Sequence, residues 1–359
     1  MRFVHWTVVA PVVAVLALIV TWGRDLPGWA VLVVAIALGA AVLAAVHHAE
    51  VVAMRVGEPF GSLVLAVAVT VIEVALILTL MLSGKDTSTL ARDTVFAAVM
   101  ITCNGIVGLA LLSGSLRRGV AVFNPSGTAA ALTTVLTLAT LSLVLPTFTT
   151  SAPGPEFSPG QLIFAAIASL VLYGLFVAIQ TRRHRDYFLP ITTAGEVVDE
   201  EQHADPPTTR TALISLGLLV VALVAVVGDA KAVSPTIERT VAAVGWPQSV
   251  VGVVIALLVL LPETLAATRA ARRGRVQTSL NRAYGSAMAS IGLTIPAIAV
   301  ASIWLDGPLL LGLGSTQLVL LALTAVVGIL TIVPGRATPL QGGVHLSILA
   351  AFLFLAISP

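Results

Sequence analysis

Charged residues are scarce in this chain of 359 residues. Asp, Glu, Lys and Arg together make up 10% of it, against about a quarter of a typical soluble domain. With 58% hydrophobic residues and a mean hydropathy of +1.04, the composition excludes an ordinary soluble protein and predicts one that crosses the membrane many times, with lipid as its main partner. The net charge of +2 is too small to indicate nucleic-acid binding.

Cysteine is nearly absent, and recognisable enzyme motifs are absent altogether. The single cysteine, Cys103, excludes an internal disulfide and a metal site built from several thiolates. The chain contains no HExxH or GxSxG motif, which argues against metalloprotease or serine hydrolase chemistry. Both lysines, Lys85 and Lys231, fall in predicted loops, so no buried lysine is available to form a Schiff base. We therefore expect neither an enzyme nor a bound cofactor.

Long apolar runs fill most of the sequence. A helix needs about 20 apolar residues to cross roughly 30 Å of hydrocarbon, and eleven segments reach that scale. The first resembles a signal sequence but lacks a clear cleavage site, so we interpret it as a span. The predicted spans are residues 5–23, 28–47, 61–83, 94–115, 128–146, 161–180, 211–228, 248–268, 281–303, 309–333 and 342–358.

A polar insert at residues 181–210 divides the chain in two. Once the N-terminal helix (1–27) is set aside, five spans precede the insert (28–180) and five follow it (211–359). Because five is odd, corresponding spans cross in opposite directions, as in the inverted repeats of many secondary transporters. The sequence thus predicts an all-α polytopic membrane protein with one N-terminal helix, two inverted five-helix repeats and a linker between them.

The basic residues predict an orientation. If the N-terminus is cytoplasmic, connections on that side contain fourteen of the nineteen Lys and Arg residues, and the other side contains five. Cytoplasmic loops are enriched in such residues. We therefore expect a cytoplasmic N-terminus and a C-terminus outside.

Two acids stand inside apolar runs, Glu73 in the third span and Glu263 after Pro262 in the eighth. A carboxylate at bilayer depth costs at least about 2.5–3.5 kcal/mol on insertion scales, so such residues usually serve transport. Each acid lies in the second span of its half. We expect Pro262 to break its helix and free backbone oxygens beside Glu263. The alternatives are a simple proline kink and protonated glutamates that hydrogen-bond neighbouring helices. We predict that Glu73 and Glu263 bind a cation, Ca²⁺ or Na⁺, at a shared site near the middle of the membrane.

Further polar residues accompany these acids. Asn104 lies in the span after Glu73, and Ser286 and Ser290 lie in the span after Glu263. Their oxygens could ligate the cation, or these residues could simply pack helices. Glu50 and Glu238 are predicted near the membrane boundaries, where they are either solvated or serve as entrances that relay protons.

The insert is acidic in its second part. Its acids are interpreted either as a solvated linker or as a cytoplasmic patch that collects or senses cations. They are Glu196, Asp199, Glu200, Glu201 and Asp205.

From about Ala49 to Ala297 the chain resembles the calcium/cation antiporter superfamily, and within it the bacterial calcium (sodium or potassium):proton antiporters of the cation/proton exchanger branch. The resemblance rests on HAEVVAMRVGEPFGSLVLAVAVTVIEVALIL, VMITCNGIVGLALLSG, LLVLLPETLAA and NRAYGSAMASIGLTIPA. It implies that Glu73 and Glu263 coordinate the transported cation and exchange it for protons. It also implies that Asn104 and the turn from Ser286 to Ser290 line the same site, and that the protein resides in a bacterial plasma membrane.

The resemblance has one departure. The wider superfamily places Gly-Asn shortly before each acid, whereas this chain has Val69 and Thr70 in one half and Val259 and Leu260 in the other. The missing amides argue against strict Ca²⁺ selectivity, and the resembled bacterial branch is associated with Na⁺ and K⁺ as well. A sodium-coupled calcium exchanger remains an alternative, and a cation channel is a further one.

Overall fold

The computed structural model describes residues 6–24, 26–57, 60–83, 87–116, 118–192, 196, 206–305 and 307–359, except for the side chains of Ser62 and Ser83. Within these residues the chain forms eleven long helices, which we label α1–α11. They are α1 Trp6–Thr21, α2 Gly28–Val56, α3 Phe60–Ser83, α4 Leu90–Ser115, α5 Pro125–Thr147, α6 Pro159–Arg183, α7 Thr209–Val244, α8 Ser249–Arg272, α9 Val276–Ala301, α10 Ser315–Ile332 and α11 Pro339–Ile357.

Ten of these helices are long and apolar enough to cross a membrane, and α1 is a shorter apolar helix of 16 residues. The all-α polytopic architecture predicted from hydropathy is confirmed. Two helices extend well beyond their predicted ends. The helix α2 has 29 residues and α7 has 36, because the polar residues that end both apolar runs remain in helical conformation.

Three helices contain π-helical turns. Residues Ile101–Ile106 form one in α4, Thr140–Val144 one in α5 and Ile179–Arg183 one at the end of α6. Such turns often occur at functional sites. The first of them contains Asn104, a predicted site residue.

The chain divides into two compact units, each drawing on both halves of the sequence. Unit 1 comprises Met1–Leu90 and Gln202–Pro262, and unit 2 comprises Ala91–Glu201 and Glu263–Pro359. The last of the three divisions along the chain falls inside α8, between Pro262 and Glu263. The predicted sequential domains 1–27, 28–180, 181–210 and 211–359 stay a prediction.

Unit 1 is organised around α2 and α7. Both helices pack against α1, against α3 and against each other. Arg55 near the end of α2 donates to Thr209 at the start of α7 (2.8 Å), so these two helices are antiparallel. The core is built from small and branched apolar residues on facing stripes, among them Ala14, Val34, Leu38, Ala41, Ala222, Val226 and Val233.

Unit 2 is organised around α4 and α9. The helix α4 packs against α9 and α11, and α9 also packs against α5 and α6. Two short antiparallel strands, Ala121–Val122 and Arg336–Ala337, tie the loop after α4 to the loop before α11. A 3₁₀ turn at Arg185–Phe188 anchors the start of the insert, because Asn281 of α9 donates to the Phe188 carbonyl (2.7 Å).

The two halves repeat a local motif at the ends of α2 and α7. The sequence reads VGEP at 56–59 and VGWP at 244–247. Both helices end before a glycine in the left-handed region, Gly57 with φ 74° and Gly245 with φ 76°, which L side chains rarely adopt. Aligned on this motif, Glu50 corresponds to Glu238.

Candidate functional site

Glu73 is the single charged residue of α3 and lies near its middle. Its side chain is only 3% exposed, and its neighbours on the helix, Ile72, Leu76 and Ile77, are 2% exposed or less. Thr70 adds a buried hydroxyl one turn earlier on the same helix. A carboxyl buried inside a helical bundle needs a polar or charged partner or a proton to offset the cost of its burial.

Glu263 is half-buried and follows Pro262 inside α8. The helix continues through this proline from Ser249 to Arg272, so the predicted helix break is wrong. The proline still lacks an N–H group, and the carbonyl of Leu258 cannot receive its usual helical donor from this residue. One backbone acceptor thus remains near Glu263 without a broken helix.

Asn104 lies at the centre of a buried polar network in unit 2. Its Nδ2 donates to Thr324 Oγ1 of α10 (2.9 Å), and its Oδ1 lies 3.2 Å from His345 Nδ1 of α11. His345 Nε2 lies 3.2 Å from Thr331 Oγ1. All four residues are 4% exposed or less. Both ends of the amide are therefore engaged by protein groups, and one lone pair of Oδ1 remains for a ligand.

The network assigns the tautomer of His345. Because Asn104 offers its carbonyl oxygen to the ring, Nδ1 must carry the proton and donate. In the neutral ring Nε2 then accepts from the Thr331 hydroxyl. His345 is in this way a positioning residue for Asn104.

Replacing His345 should show whether its hydrogen bond with Asn104 or its hydrogen bond with Thr331 contributes more to stability. His345→Asn can keep a donor near the Nδ1 position and should stay close to wild-type stability, whereas His345→Leu leaves Asn104 Oδ1 without its donor and should lose about 1–3 kcal/mol. His345→Gln, whose longer amide reaches toward Thr331 instead, should fall between them. Thermal unfolding of the purified variants in detergent measures this order, and equal melting temperatures for the Asn and Leu variants would contradict a stabilising hydrogen bond from His345 to Asn104.

Three hydroxyls line one face of α9 at four-residue spacing. They belong to Ser286, which is half-buried, Ser290, which is 4% exposed, and Thr294, which is 0% exposed. Thr294 Oγ1 is buried without a hydrogen-bond partner among the described residues. Since α9 packs against the π-helical turn of Asn104, the structure brings this stripe and Asn104 onto adjacent helices of unit 2. Thr294 thereby joins the candidate ligands.

The predicted entrance residues lie within helices rather than in loops. Glu50 is half-buried in α2 and Glu238 is half-buried in α7. Glu238 accepts a hydrogen bond from Ser234 (3.1 Å). It also lines a small cavity of unit 1 with Leu80, Thr87, Thr89, Leu90, Gln248 and Val251. An entrance role for Glu50 and Glu238 stays a prediction.

The acidic insert is described only in part. Glu196 is exposed, and its N–H donates to Thr192 Oγ1 (3.2 Å). The other predicted patch residues, Asp199, Glu200, Glu201 and Asp205, lie outside the described residues. The patch therefore stays a prediction.

The described residues contain no group of three or more His, Cys, Asp or Glu side chains able to hold a metal ion. A larger groove of about 510 Å³ lies in unit 2, lined chiefly by apolar residues of α5 and α10, and no predicted site residue borders it. Of the predicted ligands, Glu263, Asn104, Ser286 and Ser290 belong to unit 2 and Glu73 belongs to unit 1. That Glu73 and Glu263 bind a cation stays a prediction.

Comparison with known proteins gives matches over nearly the whole chain. The family model described as sodium/calcium exchanger protein matches residues 27–182 and 214–358. The y4hA protein of Sinorhizobium fredii, whose name calls it an ionic transporter without specifying the ion, is 45% identical over 99% of this chain and 96% of its own length. The sodium-potassium/proton antiporter ChaA of Escherichia coli is 32% identical over 98% of this chain and 96% of its own.

A solved structure shares the fold. The structure of YfkE, a Ca²⁺/H⁺ antiporter protein, superposes with a TM-score of 0.74 at 16% identity and covers 99% of both chains. At this low identity the likeness concerns the fold alone. The likeness agrees with the all-α polytopic fold predicted from the sequence.

Proposed function

The chain belongs to the sodium/calcium exchanger protein family, and from that premise we propose that it is a cation/proton antiporter whose exchange rests on Glu73 and Glu263. A multi-pass membrane transporter of cations follows from the family itself. The choice of proton as the counter-ion, the identity of the cation and the part played by the glutamates are the proposal. The observation that carries it is a carboxyl in the second span of each half, one of them, Glu73, only 3% exposed.

The proposed exchange needs no coupling device beyond the two acids. When Glu73 and Glu263 are ionised, their two negative charges neutralise one divalent cation. When both are protonated, the carrier is neutral and returns through the low-dielectric membrane without a large charge penalty. Cation and protons therefore compete for the same oxygens, and alternating access turns that competition into exchange.

The residues that precede the two glutamates suggest a site that discriminates only weakly between Ca²⁺ and monovalent cations. Positions 69 and 70 before Glu73 are Val and Thr, and positions 259 and 260 before Glu263 are Val and Leu, so these positions supply no amide oxygens. Ca²⁺ takes six to eight oxygen ligands, and a site poorer in oxygens discriminates less sharply against monovalent ions. We propose that Ca²⁺ is exchanged and that Na⁺ and K⁺ compete with it, in keeping with the name of the relative ChaA.

We further propose a bacterial plasma membrane location with a cytoplasmic N-terminus and an external C-terminus. The support is the distribution of fourteen against five basic residues between the two sides. In this orientation the acidic insert faces the cytoplasm, where its carboxylates could attract cations.

Proteoliposomes loaded with a pH-sensitive dye test the function. Adding Ca²⁺, Na⁺ or K⁺ outside should alkalinise the lumen, because cations that enter are exchanged for protons that leave, and protein-free liposomes should not respond. A sodium-coupled calcium exchanger would instead take up Ca²⁺ only with a Na⁺ gradient and would ignore a pH gradient. Ca²⁺ flux that is independent of both gradients would indicate a channel.

A further inference from the structure

Asp229 is a buried acid that sequence analysis did not single out. It lies in the interior of α7 and is 0% exposed. Both carboxyl oxygens are buried and neither has a hydrogen-bond partner among the described residues. The proposed exchange at Glu73 and Glu263 makes no use of it.

The surroundings of Asp229 in unit 1 are apolar. Asp229 continues the core stripe of α7 formed by Ala222, Val226 and Val233. The preceding residue, Gly228, packs so closely against α1 that an added Cβ would lie 2.4 Å from Leu18 Cδ1. An ionised carboxylate in such an environment carries a very large desolvation penalty, so the group neutralises by binding a proton.

No described charged group offers an ion pair to Asp229 from the helices around it. The helix α1 has no titratable side chain between Trp6 and Thr21. In α2 the titratable residues, His47, His48, Glu50 and Arg55, lie toward its C-terminal end. His48 is bonded there to the Thr7 carbonyl (2.9 Å), which is about 16 Å along α1 from Leu18.

The remaining charged residues near Asp229 are on α7 and α3. Lys231 is exposed, with its Nζ 5.9 Å from the centre of the Trp22 ring, and a residue two positions away faces a different side of the helix. Glu238 lies on the face of α7 opposite Asp229, nine residues later, and Arg210 and Arg239 lie near the ends of that helix. In α3 the single charged residue is Glu73.

Asp229 lies at nearly the same depth in unit 1 as Glu73. The helices α3 and α7 run in the same direction, since α2 is antiparallel to both: Arg55 meets Thr209, and Gly61 packs against the Ala53 carbonyl. Leu80 of α3 and Glu238 of α7 line one cavity. At about 1.5 Å per residue, Glu73 lies about 10 Å before Leu80 along α3, and Asp229 lies about 13 Å before Glu238 along α7.

The fold does not require an acid at this place. When the two halves are aligned on VGEP and VGWP, Asp229 corresponds to Ala41 of α2. Ala41 is also 0% exposed, so a small apolar side chain fits the equivalent position. A buried acid without structural need inside a membrane protein indicates function.

We propose that Asp229 is a further proton-binding site, which holds a proton in the conformation described here and releases it during the transport cycle. The ligand is a proton because a metal cation would need several oxygens, and the buried carboxyl of Asp229 stands in an apolar core. The proposal rests on the proposed cation/proton exchange. It adds one proton per transport cycle to those that Glu73 and Glu263 bind and release.

Infrared spectroscopy and coupling ratios test this site. The full-length protein reconstituted in lipid should show a protonated carboxyl C=O band at neutral pH that Asp229→Asn removes. In proteoliposomes whose membrane potential is set with a thiocyanate gradient, the number of protons moved per Ca²⁺ should fall by one in Asp229→Asn and in Asp229→Ala. The alanine variant reproduces Ala41, so a folding defect in one variant leaves the other informative.

The outcomes separate this inference from the proposed function. If the wild type and both variants move the same number of protons per Ca²⁺, the role of Asp229 is overturned and cation/proton exchange is unaffected. Wild-type protein that moves no protons with Ca²⁺, Na⁺ or K⁺ would overturn the proposed function. In that case the infrared band still decides whether Asp229 is protonated, and its absence would overturn the site.

Discussion

Replacing Glu73 with glutamine should reduce cation-dependent proton movement to the level of protein-free liposomes, and replacing Glu263 should do the same. Glutamine has nearly the same shape as glutamate but neither titrates nor supplies a negative charge. One remaining carboxylate neutralises only half the charge of a divalent cation, and the coupling between cation and protons is lost. Initial rates of luminal pH change after addition of Ca²⁺ measure the effect.

A matched control exists for these variants. Glu156 is a half-buried acid in the connection between α5 and α6, and Glu156→Gln should exchange at the wild-type rate. Wild-type exchange by either Glu73→Gln or Glu263→Gln, with correctly folded protein, would contradict the assignment of that residue.

Replacing Gly342 with valine should severely destabilise unit 2. A Cβ at Gly342 would lie 2.7 Å from the backbone N of Leu112 and 2.9 Å from the carbonyl O of Gly108. These are backbone atoms of α4, which cannot move aside as a flexible side chain can. Overpacking of a tight core costs about 1–3 kcal/mol, and a backbone clash should lie at the upper end of that range or above it.

The neighbouring glycine provides the control. An added Cβ at Gly343 meets nothing within 4 Å, so Gly343→Val should unfold within a few degrees of the wild type. Melting temperature and monodispersity in detergent distinguish the two variants. If both valine variants were equally stable, the close approach of α4 and α11 that places His345 beside Asn104 would be wrong.

Hydropathy predicts the helices well because a bilayer demands long apolar segments whatever their packing partners. It predicts Glu73 and Glu263 for the same reason, since an acid inside an apolar run is conspicuous in the sequence alone. It fails at the end of α7. The segment GDAKAVSPTIER is polar and contains a proline, a pattern that predicts a loop, yet it continues the helix to Val244. Asp229 lies in this segment, so hydropathy alone does not indicate that it is buried in a helix.

Side-chain contacts between distant parts of the chain are harder to predict from the sequence. Asn104 pairs with Thr324 and His345 across 220 and 241 residues, and neither periodicity nor spacing reports contacts over such separations. The expected helix break at Pro262 was wrong because a proline removes one hydrogen bond without forcing a helix to end. The stripe of Ser286, Ser290 and Thr294 could be recognised from its four-residue spacing.

The central claim is that cation and protons compete for Glu73 and Glu263. Calorimetric titration of the purified protein with Ca²⁺ in two buffers of different ionisation enthalpy counts the protons released per cation bound. The account predicts proton release at mildly acidic pH from the wild type, and neither binding nor release from the variant with glutamine at both positions. Ca²⁺ binding without proton release, or the same release from that double variant, would contradict it.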